Sequence, residues 1–422
     1  MTSEIIGNKY FLIDEAISCL STKIVLRMRN KINLALIYIF AFFSGFANMP
    51  YTKIAGILFF VYIAIFLVFY NWRHKQNAIS FNTKQYFWFV IFSVPALFVG
   101  LFFLRFDALY FFIYSLLPLL LYYTLPLNKI NLNKFLLCSQ ASLVMYLIIG
   151  WMIYSLILPY NFVASDAWES EFLLHYWGVG YKPSTRNHDY MYVFTCACFC
   201  LTLLKTNINK IVKVVEIVLF FICLITLLAT LSRGAMIISA WLLCIFYRDG
   251  SPIYKRYSLF FVLIVIIANI GVILSQYQET FKDIFLSIFG LAEENSDGAS
   301  FSNESRKDIY WNAIVHIIVN PIGYGIQNYG LASDGYGSAE NAYLTLFVER
   351  GWLAGLFFAK WLITSFWKSN RYTVTYYLSS CFLIYFLFNY EFMSYSNVFI
   401  FFIILASHKF CTSNNVKYEL SN

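Results

Sequence analysis

Charge is scarce in this chain. Only 12% of its 422 residues are Asp, Glu, Lys or Arg, about half the share in a soluble globular protein. Histidine is scarcer still. The five, His74, His175, His188, His316 and His408, show no metal-ligand spacing. No Gly-rich phosphate loop, nucleotide fingerprint or internal repeat is present, which disfavours an activity fed by cytosolic nucleotide. The first residues are mixed polar, and no small-residue cleavage site follows the first apolar run, so no cleavable signal is expected. Most of the nine cysteines sit inside apolar runs. The tightest group, Cys196, Cys198 and Cys200, faces different sides of a helix and reads as small apolar residues. Neither a metal nor a cofactor is expected.

What the chain does have is apolar length. It is 60% hydrophobic and 21% aromatic, with 45 Phe and 33 Tyr. Apolar runs long enough to span a bilayer recur along it, and they are too uniformly apolar for barrel strands. The expected fold is an all-α polytopic membrane protein, one integral membrane domain over 1–422, embedded in a lipid bilayer. About twelve spans are predicted, near 32–49, 54–71, 86–104, 108–124, 135–158, 190–204, 214–231, 234–247, 258–276, 341–366, 373–389 and 393–407. An even number puts both termini on one side. Connections on that side hold 20 Lys and Arg, against 8 on the other, so the termini are expected in the cytoplasm. The same asymmetry accounts for the net charge of +8 without a nucleic-acid partner.

Two connections are long, 159–189 and 277–340, and both are expected to face outward. The second is the large loop between spans nine and ten. A protein that spends its loop residues on one face is expected to work there. Within the large loop, 304–323 reads as an amphipathic helix, with Ser305 as its N-cap and Asn320-Pro321 as its end. Ile309, Ala313, Ile314, Ile317 and Ile318 fall on one side at helical spacing. A Gly-rich stretch, GYGIQNYGLASDGYGS, follows.

Three arginines stand at the outward ends of spans or helices: Arg186 in STRNHDYMY, Arg233 in LSRGA and Arg306 in ESRKDIYW. A guanidinium offers a rigid fork of donors suited to phosphate oxygens, so three of them converging would hold a diphosphate. Snorkelling to headgroups or surface ion pairing is the ordinary alternative. Arg233 is the hardest to explain that way, because its turn between two apolar runs is very short. At the entrance to the tenth span stand Glu340 and Asn341, in AENAYLTLFVERGWLAG. A carboxylate there can take a proton from an attacking hydroxyl or simply favour the helix start. Glu349 and Arg350, deeper in the same span, read as structural. His188 is a weaker candidate beside Arg186. Asp166, Trp168, Glu169 and Glu171 have the chemistry to bind sugar or to be an ordinary solvated loop.

The order LSRGA, a large loop with an arginine-led helix ending NPIGYG, then ENAYL and ERGWLAG, resembles the O-antigen ligase and polymerase superfamily over about 215–356. The resemblance implies a polytopic bacterial inner-membrane fold with a large periplasmic loop late in the chain. It implies that Arg233 and Arg306 engage a lipid-linked diphosphate. The family's Pro-x-Gly-x-Gly segment falls on Pro321, Gly323 and Gly325, with Tyr324 between the glycines. These three, with Arg186, His188 and Asn341, are candidate substrate contacts. Where the ligases carry a histidine, this chain has Glu340, which argues for the polymerase branch of O-antigen or capsule assembly. The implied substrate is an undecaprenyl-diphosphate-linked oligosaccharide, with a chain-length regulator as a candidate partner. Its sugar–diphosphate bond is already activated. Three rivals remain: an O-antigen ligase acting on lipid A-core, which shares these motifs; a lipid-linked oligosaccharide flippase, similar in length and span count but expected to lack so large an outer loop; and, disfavoured on the same ground, a generic transporter.

Overall fold

The computed structural model describes residues 31–44, 53–72, 81–161, 186–206, 208–229, 233–249, 255–262, 299–326, 328–329, 341–371, 373–389 and 395–411. Within them the chain is helical. The helices are α1 (Lys31–Ser44), α2 (Lys53–Asn71), α3 (Phe81–Phe92), α4 (Val94–Phe102), α5 (Asp107–Thr124), α6 (Leu132–Asn161) and α7 (Arg186–Leu204). After them come α8 (Lys210–Ala229), α9 (Arg233–Asp249), α10 (255–262), α11 (Ala299–Val319), α12 (Ala342–Lys368), α13 (Val374–Tyr385) and α14 (Tyr395–Ala406). The described residues hold no strand beyond one isolated bridge between Asn131 and Cys411.

Three stretches are long and apolar enough to cross a membrane: Thr83–Phe102, Asp107–Thr124 and Lys210–Leu228. The twelve expected spans are thus met in three cases among the described residues. Several helices are shorter than the apolar runs that encode them; the run at 373–389 yields only Val374–Tyr385. The run at 258–276 is described only as far as 262. Thr83–Phe102 passes through α3 and α4, which meet at Ser93. Pro95 lacks the N–H that would bond the Ile91 carbonyl one turn back, and the Ser93 hydroxyl joins its own N–H in donating to the Phe89 carbonyl, at 2.8 Å. The same device hides other hydroxyls in apolar surroundings: Thr124 donates to Leu120 and Thr202 to Cys198.

The core is aromatic. α12 lies antiparallel to α3, and Tyr86 meets Trp361 at 4.7 Å between ring centroids while Phe89 meets Phe358 at 5.2 Å. α13 and α14 close the cluster through Phe382, Phe386 and Phe401. Edge-to-face pairs of this kind each add about 0.5–1.5 kcal/mol beyond the area they bury. That is where much of the chain's Phe and Tyr goes. At one end of the bundle the last turn is tied back to the α5–α6 connection, with Leu132 N–H donating to the Cys411 carbonyl and Cys411 N–H to that of Ile130.

Candidate functional site

At one end of the bundle three helices begin close together. The hub is the turn that ends α13. Ala342 N–H, at the start of α12, donates to the Phe386 carbonyl at 2.9 Å. Asn341 Nδ2 donates to the Leu387 carbonyl at 3.4 Å. Gly234, in the first turn of α9, lies so near this turn that a Cβ there would stand 2.9 Å from that of Phe388 and 2.5 Å from the Tyr190 hydroxyl. Tyr190, one turn into α7, packs its ring on Tyr385 at 5.1 Å. The starts of α7, α9 and α12 carry positions 186, 233 and 341, so three of the sequence candidates lie on helix ends that the fold brings together. The N–H groups that open α12 are already satisfied, Ala342 by the Phe386 carbonyl and Tyr343 and Leu344 by Asn341 Oδ1, so what this end offers an anion is the positive end of the helix macrodipole.

The fourth position arrives on α11. This helix runs alongside the first half of α12 in a regular register. Ala313 and Val348 are buried together, with Ile309, Tyr310 and Leu344 packed round them. Farther along α12, Trp352 Nε1 donates to the Ile317 carbonyl at 2.6 Å. Ala313 packing with Val348 runs α11 along the first half of α12, so its N-terminal part, with backbone position 306, extends toward the start of α12. α11 starts at Ala299, so Ser305 lies inside the helix and is not its cap. It ends at Val319, before Asn320-Pro321, as expected. Its apolar side is split: Ala313 is buried, while Ile314 and Ile318 are exposed. α12 is narrower than the apolar stripe and covers only part of it.

The Pro-x-Gly-x-Gly segment follows directly and closes on α12. α12 is broken at Gly351, which sits at φ 80° and ψ 176°. Into that break the segment inserts by backbone hydrogen bonds. Tyr324 N–H donates to the Val348 carbonyl at 2.9 Å, Gly325 N–H to that of Glu349 at 3.0 Å, and Trp352 N–H to that of Pro321 at 2.9 Å. Gly323 has φ 92°, and a Cβ there would stand 2.6 Å from both Glu349 O and Gly351 N. Glycine is required at 323 and 351 on both counts, left-handed backbone and close approach. Ile326 N–H then donates to the Ala96 carbonyl of α4. The glycines read from sequence as substrate contacts thus make their tight approach to the protein's own backbone.

Other candidates resolve in the same way. Asn341 is the N-cap of α12, its Oδ1 accepting from Tyr343 N–H at 3.0 Å and Leu344 N–H at 3.2 Å. The Tyr324 hydroxyl lies 2.8 Å from His316 Nδ1. Tyr329 packs behind them, and burial pushes its hydroxyl up to about 12, with Glu349 and Tyr310 adding to the shift. Glu340 lies outside the described residues. Arg186, His188, Arg233 and Arg306 are placed by their backbone alone, each within a helix. Asp166, Trp168, Glu169 and Glu171 also lie outside the described residues. Among the described residues no group of His, Cys, Asp or Glu is arranged to hold a metal ion. Sequence reading missed the break at Gly351 and the His316–Tyr324 contact. The signal for the first was the Arg-Gly pair in the middle of an apolar run.

NPIGYG and ERGWLAG, 24 positions or more apart in the chain, are two halves of one joint. Residues 218–359 match the O-antigen ligase family. This stretch runs from within α8 into the second half of α12 and takes in position 233, all of α11 and the whole joint. It is consistent with the O-antigen ligase and polymerase superfamily, whose members are glycosyltransferase-like membrane enzymes. No curated protein and no solved structure matches the chain.

Proposed function

We propose that this chain is a polysaccharide polymerase. It joins undecaprenyl-diphosphate-linked repeat units at the periplasmic face of the bacterial inner membrane, with both termini in the cytoplasm. The observation that carries the reading is the convergence of the starts of α7, α9 and α12 within a chain whose 218–359 stretch matches the O-antigen ligase family. In this reading Arg233 and Arg306 grip the diphosphate of the growing chain, and Arg186 supports them. A hydroxyl of the incoming unit attacks the anomeric carbon. The new glycosidic C–O bond forms as the bond to the diphosphate oxygen breaks. The hydroxyl proton passes to the Glu340 carboxylate, and undecaprenyl diphosphate leaves with its charge held by the two arginines.

A second reading has support of its own, since the matched family bears the ligase name. A ligase uses the same donor and hands the glycan to lipid A-core. Glu340, standing where the ligases carry histidine, favours the polymerase. A gel of surface glycans from the source bacterium with this gene deleted separates the two. Core bearing a single repeat unit, with the ladder gone, supports polymerase. Free polymer on undecaprenyl diphosphate beside bare core supports ligase. Repeat units trapped on the cytoplasmic leaflet would mean a flippase and would overturn both.

A further inference from the structure

Arg350 is the residue just before the break in α12. It is 3% exposed, in the middle of apolar helices. Its Nη1 donates to Ser115 Oγ at 2.8 Å, and its Nη2 to the Phe111 carbonyl at 3.4 Å, both on α5. The guanidinium carbon stands 5.4 Å from the centre of the Phe89 ring on α3. Ser115 is itself fixed, donating to the Phe111 carbonyl at 2.9 Å. A charge buried in such surroundings costs more than a methionine or leucine of similar volume. What the guanidinium adds is direction: a planar fork that fixes both the rotation and the depth of its own backbone.

That backbone is the slot for the wedge. Val348 and Glu349 carbonyls receive Tyr324 and Gly325, and Trp352 N–H reaches back to Pro321. The wedge is continuous with α11 through Asn320, whose N–H donates to the His316 carbonyl and whose Nδ2 donates to that of Gly323. Whatever fixes 348–352 therefore fixes the register of α11 on α12. We propose that Arg350 is a positioning residue: by anchoring the joint to α3 and α5, it sets the level at which α11 presents position 306 beside the start of α12. The inference rests on the reading above, in which Arg306 meets the diphosphate. Arg350 itself touches no reactant. Its effect on chemistry passes through the wedge and α11.

The test uses the full chain in lipid nanodiscs, with lipid-linked glycan extracted from cells lacking it as substrate. A reporter pair, Ile309→Cys with Leu344→Cys, is oxidised with copper phenanthroline, and the 309–344 link is measured by mass spectrometry. Arg350→Gln is expected to lower link yield severalfold and kcat about tenfold or more, since small misplacements of a catalytic group cost that much. KM should stay within about threefold, because the substrate's other contacts are untouched. Arg350→Lys should restore part of both. Link yield unchanged in Arg350→Gln while activity is lost would overturn the proposal, as would link yield lost with kcat intact. If the parent chain forms the link yet consumes no lipid-linked glycan, the glycan reading fails and the anchoring of the joint is still read by the link. Should Arg350→Gln not insert, Ser115→Ala removes the Nη1 acceptor alone, with about a threefold loss of both readouts expected and unchanged yield as the refuting result.

Discussion

The first half of α12, Ala342–Arg350, and the second, Trp352–Lys368, are held by different means. The first half is held by directed contacts. Asn341 caps it, α13's last turn receives its first N–H, the wedge occupies its free carbonyls, and Arg350 pins its end. The second half is held by bulk. Phe358 and Trp361 pack rings against Tyr86, Phe89, Phe386 and Phe401, all buried. Directed contacts fix position and tolerate almost no added atom. Ring packing fixes volume and tolerates shape changes that conserve it. The half that carries the directed contacts is the half that begins at the candidate site.

This contrast can be broken or sharpened by substitution. Arg306→Ala is expected to have the largest effect, abolishing polymer while the protein inserts and melts like the parent; normal chain lengths on a glycan gel would remove Arg306 from the site. Next, Phe358→Ala in the second half should cost about 3–5 kcal/mol through a buried cavity. It should lower the apparent Tm in detergent while leaving the product length distribution of the surviving protein unchanged. A shift in chain length from Phe358→Ala would mean that the two halves are not separable. Gly323→Ala should cost somewhat less, about 2–4 kcal/mol, from left-handed backbone and a contact with no room to give. Unlike Phe358→Ala, it should also loosen α11, seen as faster proteolysis between 319 and 341. The smallest effect belongs to Asn341→Ala, about 1 kcal/mol for a lost N-cap, measured as a small drop in Tm. A loss far beyond that in turnover would give the Asn341 amide a role on substrate.

The helices were legible in the sequence because hydropathy reports them directly. The run 108–124 becomes Asp107–Thr124, and the loop helix stops at Val319 just before Asn320-Pro321. The start of that helix was not legible. Ser305 has the chemistry of a cap, but the chain is already helical from Ala299, and nothing in a Ser- and Asn-rich stretch announces it. The break at Gly351 was hidden for a different reason. ERGWLAG keeps helical spacing on both sides, so the Arg-Gly pair is the one mark that the break leaves on the apolar pattern. Its partner, NPIGYG, lies in another segment, so neither half shows the joint alone. Gly323 and Gly325 were recognised as close-approach positions, but a sequence does not say whether a ligand or a second stretch of backbone does the approaching. The meeting of positions 186, 233 and 341 needed the α13 turn between them, and nothing in the residues of that turn, Phe386 to Phe388, signals a hub.

The joint also imposes an order on biogenesis. Its wedge, 321–326, is synthesised before the slot at 348–352 exists. In hydrocarbon, a helix opened at Gly351 with nothing in the gap would leave backbone groups unsatisfied at several kcal/mol each. If α12 is the tenth span of the proposed topology, it is expected to enter the bilayer closed and to open only when the waiting wedge docks, which makes that docking a late step in maturation. A chain stalled before it would be full-length and inserted, with α12 unbroken.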